Sequence, residues 1–507
     1  MEIGNTTRIF AIITFVIYAV VCVVLGNVVS KKKVKGDGFG KNYFAGGGNM
    51  GFLAAGFMIA ASFASGGTFL SNPGLAHSWG LMWPICMATF AFSGLIAASV
   101  INKKLKIICN RINAVSLGVV LQHRYDNNKF IAWYTPISIV MFTGLFLYQQ
   151  MTSGARLMET MTGLPYVWGL VIFGLILLAY TLFGGSRGTA AVSVFQGFVM
   201  TLTTVVLAIG IVSYVNGSFG NLENAFRDLA ANEPAIVSPG SNFGFALLAC
   251  YLFQVGVSGN IGKDNVAQAV KIGDSKSLHN STAITLAFVG LWCIVMPTLG
   301  TIGKTVFPDV VSDTIIPFAA LRVLPPVFAG IVASGVAAAI QSTIAFQLLN
   351  VNSCVVMDIY GGLIKKNKAS DEQLKRVNTI AVLVVTAITV AFAIKPPALI
   401  GVINNFTIAG GACAFFMPVL FGVWWKRANK YGCIASMIVG IGYYLLSTVV
   451  PALTFGVLPL IPSMAFACIA MVAGSLLTPA PERDVLDVWF GVGKTCVKRE
   501  EAVCENF

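Results

Sequence analysis

Charge is scarce in this chain. Asp, Glu, Lys and Arg make up 10% of its 507 residues, where soluble domains carry about a quarter. That shortage excludes a soluble globular protein. Histidine is scarcer still: His77, His123 and His279 stand far apart, so no imidazole cluster is offered to a metal. The eleven cysteines form no C-x-x-C pair. Most lie in apolar stretches, where Cys acts as a small hydrophobe, so zinc and disulfide readings are poor. No H-E-x-x-H and no Walker-type loop is present, and "GGG" at Gly46–Gly48 lacks the Lys and helix of a phosphate loop. An ATP-driven pump is set aside on that ground. No catalytic constellation is visible, so no catalytic residue is expected and the chain is not read as an enzyme.

What the chain has instead is hydrocarbon. It is 56% hydrophobic, with a mean hydropathy of +0.81. A bilayer-spanning helix needs about 20 apolar residues. Thirteen segments of that kind can be read, at 9–29, 50–72, 79–101, 132–153, 166–184, 191–214, 243–263, 280–303, 325–352, 377–395, 400–424, 432–451 and 456–478. The expected fold class is an all-α polytopic membrane protein of about thirteen transmembrane helices. Segment 9–29 precedes a Lys cluster and lacks a basic start and a small-residue cleavage site. It is expected to be a retained helix, not a signal peptide.

The net charge of +13 could suggest nucleic acid, but its placing does not. Cytoplasmic loops carry the Lys and Arg excess. With the N-terminus outside, 27 of the 33 Lys and Arg residues fall in inner loops or the tail; Arg8, Arg156, Arg227, Lys304, Arg322 and Lys395 are the other six. The expectation is a multi-pass plasma-membrane protein with its N-terminus out and its C-terminus in the cytoplasm. Its expected partners are a small-molecule solute and the lipid bilayer, not nucleic acid; the sequence indicates no oligomeric state.

Polar groups at membrane depth come next. Unwound backbone in a bilayer is tolerated where it lines a cavity, and transporters place such breaks at the midplane. "AASFASGGTFLSNPG" (Ala60–Gly74) and "YLFQVGVSGNIGKDN" (Tyr251–Asn265) are both rich in Gly and small residues. Small-residue helix packing explains either one alone. They lie five spans apart, however, so spans 2–6 and 7–11 would each open with a broken helix, the layout of an inverted five-helix repeat. In "AAAIQSTIAFQLLN" (Ala337–Asn350), Ser342 and Thr343 set adjacent hydroxyls in an apolar helix. Such hydroxyls either back-bond to carbonyls one turn earlier or serve as ligands.

Four stretches carry a resemblance. They are "GNMGFLAAGFMIAASFASGGTFLSNPG", "SGARLMETMTGLPY", "YTLFGGSRGTAAVSVFQGFVM" and "QSTIAFQLLNVNSCVVMDIY", spread over about residues 45–425. By these the chain resembles the sodium:solute symporter family, nearest its proline/pantothenate branch. The resemblance implies Na⁺ as coupling ion, held by the hydroxyls of Ser342 and Thr343 and the carbonyls of Ala61, Ala64 and Ala339. It also implies a core of two inverted five-helix repeats with broken first helices, an amino-acid/sodium symporter type of fold. The domains would be 1–49 (first helix and inner loop), 50–425 (core, as 50–214 and 243–425), 426–478 (two peripheral helices) and 479–507 (cytoplasmic tail). Relatives with a second sodium site have hydroxyls where this chain has Ala345 and Phe346, which implies one Na⁺ per cycle.

The sequence also departs from the family. Phe63 stands where proline transporters have an aspartate, and "GNIGKDNVAQAV" replaces the family's usual span-seven pattern. Lys263 and Asp264 are read either as an ion pair at the inner mouth or as the interfacial end of a helix, where Lys snorkels, and the second is preferred. Expected solute contacts are Phe63, Ser65, Gly66, Gly67, Gln149, Gln150, Ser258, Asn260, Asn404 and Asn405, because amides and breaks at membrane depth need partners. Arg156 is expected to pair with Glu159. Asp358 is expected as a structural anchor to Tyr360 or an inner-loop cation, and Pro73–Gly74 as the end of the first broken helix. The function expected is secondary Na⁺ symport of a small polar organic solute, a carboxylate such as pantothenate or a monocarboxylate. The alternatives are an amino acid such as proline or a sugar as cargo, and a channel or sensor that keeps the transporter fold.

Overall fold

The computed structural model describes residues 4–30, 38–44, 51–238, 245–258, 261–270, 272, 275–395 and 400–491, without the side chains of a few of these, 177–187 among them. Everything is helical: no strand occurs among the described residues. Among the described residues, nine helices are long and apolar enough to cross a membrane, and four shorter apolar helices join them. Each of the thirteen expected segments coincides with one of these helices. Two of them, 166–184 and 191–214, fall in a single helical element, Tyr166–Phe219. At 1.5 Å per residue that element is about 80 Å long, far more than the roughly 30 Å of a bilayer core.

Helix Pro326–Ser353 lies at the centre, with every residue from Val332 to Ser353 buried. It starts at Pro326, whose missing N–H falls among the first-turn donors that no helix satisfies. Its small residues let three neighbours approach, and Asn5–Ser30, Tyr166–Phe219 and Lys129–Thr162 all pack on it. The Asn5–Ser30 helix lies outside them, with Ile9, Ile13, Val16, Ile17, Val20, Val24 and Val28 exposed on its outer face. Its inner side is tied down by Tyr18, which donates to Gln341 Oε1 at 2.9 Å and accepts from Gln196 Nε2 at 2.9 Å. Helices Lys430–Val449 and Leu460–Leu476 pack on each other and on Ile400–Trp424, at the other side of the bundle.

Both candidate breaks are real. Helix Phe52–Phe63 stops at Ala64, whose backbone is extended at φ −73°, ψ 110°. A wide π-helical turn, Gly67–Ser71, then leads into helix Asn72–Trp79. Pro73 and Gly74 therefore do not end this element: Pro73 sits in the first turn of the second half, where a proline costs no hydrogen bond. The end comes at Gly80, with φ +89°. In the second stretch, helix Phe245–Phe253 widens into Gln254–Ser258, and a short helix, Asn265–Ala269, resumes beyond an irregular Ile261–Asp264.

Two further expectations concern ionisable groups. Arg156 Nη1 meets Glu159 Oε2 at 2.8 Å. Asp358 is buried and does anchor structure, but among the described residues neither Tyr360 nor a loop cation is its partner. It accepts from Ser116 Oγ at 2.5 Å, and Ser116 caps helix Leu117–Arg124. The packing is close because Gly118 faces the carboxylate: a Cβ there would meet Asp358.

Candidate ion and solute site

Breaking a helix frees backbone carbonyls, and those of Ala61 and Ala64 are freed here. Ser342 and Thr343 lie opposite them on the central helix, 1% and 0% exposed. Ser342 Oγ donates to Ala61 O at 3.0 Å and is 3.0 Å from Ala339 O. Thr343 Oγ1 is 2.8 Å from Ala64 O, 3.0 Å from Ala339 O and 3.4 Å from Ala61 O. The back-bond to the preceding turn is thus present, and so is a set of contacts across to the broken helix. Five neutral oxygens from two elements converge in a buried place. Such a donor set suits a hard cation, for which neutral oxygens suffice when number and geometry are right. Each hydroxyl can turn its proton away and become a ligand, since it carries two lone pairs.

Beyond the break lies a cavity of about 90 Å³. Phe63, Ser65, Thr68 and Asn72 line it from the first broken helix. Ser258 and Lys263–Asp264 line it from the second, Phe346 and Gln347 from the central helix, and Asn404, Asn405 and Thr407 from helix Ile400–Trp424. Two polar atoms on this wall are buried and have no hydrogen-bond partner, Asn72 Oδ1 and Asn405 Nδ2. One accepts and the other donates. A buried polar atom without a partner costs about 1–3 kcal/mol.

Of the expected solute contacts, Phe63, Ser65, Ser258, Asn404 and Asn405 line this cavity; Gly66, Gly67, Gln149 and Gln150 do not. Asn260 lies outside the described residues. The two glutamines face the break itself. Gln150 Oε1 accepts from the Gly66 N–H at 2.8 Å, and Gln149 Nε2 donates to Ser71 Oγ at 3.1 Å. Gln150 thus satisfies a backbone donor that the break leaves open, while Gln149 bonds to a side chain beyond it. Gly66 is required there, since a Cβ would stand 2.7 Å from Ser153.

Lys263 and Asp264 form an ion pair on the cavity wall. Their side chains are 12% and 26% exposed, and Lys263 Nζ meets Asp264 Oδ2 at 2.8 Å. Asp264 also accepts from Asn350 Nδ2 at 2.7 Å and Gln347 Nε2 at 3.2 Å. The backbone turns inward here because Gly262 has φ +152° and its N–H is taken by Asn265 Oδ1. Asn265 is itself held by Asn102 at 2.8 Å. Sequence reasoning missed Gln347 and Asn350. Their signal was spacing: they stand four and seven residues after Thr343, on the same face of the helix.

Comparison with known proteins agrees with this architecture. The profile of the "Sodium:solute symporter family" matches residues 43–440. A sodium/pantothenate symporter of Escherichia coli is 32% identical over 488 residues, covering 94% of this chain and 98% of its own. One from Haemophilus influenzae is 30% identical, covering 94% and 97%. The osmoregulated proline transporter of Bacillus subtilis is 26% identical, covering 97% and 99%. Among solved structures, a Na⁺-coupled sialic acid symporter in a substrate-bound outward-open state shares the fold with a TM-score of 0.77, at 19% identity, covering 95% of this chain and 100% of its own. Profile, full-length relatives and fold converge, and the chain belongs to the sodium:solute symporter family.

Proposed function

We propose that the chain is a secondary active symporter that couples inward Na⁺ movement to uptake of a small carboxylate by alternating access. The observation that carries this reading is the five-oxygen cluster at the first break, one residue from the cavity wall at Phe63 and Ser65. Na⁺ takes the oxygens of Ser342, Thr343, Ala61, Ala64 and Ala339. The solute takes the cavity, where Asn72 Oδ1 and Asn405 Nδ2 await partners. An acid is favoured because full-length relatives are sodium/pantothenate symporters and because the cavity wall carries the ammonium of Lys263.

A second reading has an observation of its own. Lys263 and Asp264 place one cation and one anion on the same wall, which would also suit a zwitterion such as proline. In either case the membrane topology is thirteen crossings, N-terminus out and C-terminus in, supported by the Lys and Arg asymmetry. The test is uptake into proteoliposomes of labelled pantothenate, short monocarboxylates, proline and a sugar, with and without a Na⁺ gradient. Na⁺-dependent accumulation of a carboxylate is expected. Accumulation indifferent to Na⁺, or uptake of the sugar alone, would refute the proposal.

A further inference from the structure

An ion pair on the wall of a cavity within the bundle needs a reason. Charges there are costly unless paired and hydrogen-bonded, and they mark functional positions. Lys263 and Asp264 are adjacent in sequence, and both reach the cavity wall. Their surroundings are those of an ion site. The Lys263 ammonium lies 2.8 Å from Asp264 Oδ2 and 3.4 Å from Gln347 Oε1. Its centre is 5.6 Å from that of the Phe146 ring, within cation–π range. A carboxylate oxygen, an amide oxygen and an aromatic face enclose one positive charge.

The position of this charge matters as much as its ligands. Thr343, Gln347 and Asn350 are spaced i, i+4 and i+7, so they share one face of the central helix. The ammonium is thus held one turn along the same face from the five-oxygen cluster. Asp264 does not depend on Lys263 alone, since Gln347 Nε2 and Asn350 Nδ2 also bond to it at 3.2 and 2.7 Å. Without the ammonium, its carboxylate would remain fixed in place, half-buried, and short of one positive charge. The oxygens around the vacated place would be those that bind hard cations.

We infer that Lys263 is a built-in cation standing in a second cation site formed by Asp264 and Gln347, and that it holds this transporter to one Na⁺ per cycle. The inference rests on the proposed function only for the identity of the first site, at Ser342 and Thr343.

Equilibrium binding of ²²Na⁺ to the purified full-length chain tests it, with no solute needed. The wild type should bind one Na⁺ per chain. Lys263→Gln should bind two. Lys263→Arg should stay at one, because the cation is kept. Lys263→Gln/Asp264→Asn should return to one, because the carboxylate is gone. In the Lys263→Gln background, adding Ser342→Ala/Thr343→Ala should leave one. A Lys263→Gln chain that still saturates at one Na⁺ overturns the inference. So does a Lys263→Gln chain that is not recovered folded in Na⁺ while Lys263→Gln/Asp264→Asn is, for Na⁺ then cannot stand where the ammonium stood. Failure of the first site reads differently: Ser342→Ala/Thr343→Ala would then bind Na⁺ as the wild type does.

Discussion

Thr343→Ala is the most direct test of the ion site. Thr343 Oγ1 touches three of the cluster's carbonyls, at 2.8 Å to Ala64, 3.0 Å to Ala339 and 3.4 Å to Ala61. Removing it takes away one of the oxygens proposed to hold Na⁺. A hydrogen bond to a charged group contributes about 1.5–3 kcal/mol, and the loss of one neutral ligand is of that order. With about 1.4 kcal/mol per factor of ten, the Na⁺ concentration for half-maximal uptake should rise roughly ten- to a hundredfold. Thr343→Ser keeps the oxygen and should shift it little. Ser342→Ala removes an oxygen with two close contacts, at 3.0 Å to Ala61 and Ala339, and should shift it less than Thr343→Ala.

Thermal unfolding supplies a second readout that does not need the solute. A ligand at a hundred times its Kd stabilises by about 2.7 kcal/mol. If affinity falls a hundredfold at the same Na⁺ concentration, that stabilisation drops to about 0.4 kcal/mol by the same relation. The Tm gain on adding Na⁺ should therefore nearly vanish in Thr343→Ala while the chain still folds. Unchanged Na⁺ dependence in Ser342→Ala/Thr343→Ala would refute the reasoning, and so would a wild-type Hill coefficient for Na⁺ clearly above one.

Three other outcomes follow from the same geometry. If the solute is a monoanion moved with one Na⁺, no net charge crosses, and an imposed potential should leave uptake unchanged; a zwitterion would gain roughly fiftyfold from 100 mV, since one charge then releases about 2.3 kcal/mol at 1.36 kcal/mol per tenfold. Asp358→Asn should lower the yield of folded protein more than it alters Na⁺ dependence, because Asp358 bonds to the helix cap Ser116 and not to the ion cluster; the opposite result in an uptake titration would put Asp358 in the ion path. Asp313, in the turn between helices 275–306 and 326–353, is buried and its carboxyl is pushed up to about 6, mainly by burial. A raised carboxyl stabilises below its ordinary value of about 3.9, and that contribution is lost as pH rises through about 6. The Tm of the wild type should therefore fall relative to Asp313→Asn between about pH 4 and pH 7; a difference that does not change with pH would refute this.

The helices were legible because hydrocarbon thickness and the 3.6-residue turn constrain composition strongly. Ser342 and Thr343 were legible for a related reason, as adjacent hydroxyls amid Ala and Gly. Their partners at Ala61 and Ala64 are backbone atoms, and nothing in an alanine marks its carbonyl as a ligand. Only the break pattern and the family resemblance pointed to them. The ion pair at Lys263 was the less favoured of two readings because a lysine at the end of an apolar run ordinarily snorkels to water. The inward turn at Gly262 and the amides of Gln347 and Asn350, 83 and 86 residues away from Asp264, carry it to the cavity. Gln149 and Gln150 needed partners, as amides at depth do, but periodicity cannot say whether a partner is solute or backbone. Pro73 looked like a stop because proline disrupts a helix interior. After a break, the same residue fits a first turn.

The break at Ala61–Ser65 faces two ways. Its carbonyls at Ala61 and Ala64 meet the hydroxyls of the central helix, and its side chains at Phe63 and Ser65 line the cavity. On the proposed reading, one five-residue stretch touches both ion and solute. Na⁺ bound across the two elements holds the broken helix against the central one, and so fixes the wall that the solute meets. If the two elements part, Ala61 and Ala64 leave with one and Ser342, Thr343 and Ala339 stay with the other. Neither set alone surrounds a cation, so the conformations differ in Na⁺ affinity, and a ligand shifts a conformational equilibrium only by such a difference. The coupling must then be reciprocal: by whatever factor Na⁺ tightens the solute, the solute tightens Na⁺. It can also be strong without any direct contact between them, because a single rigid stretch of backbone carries ligands of both.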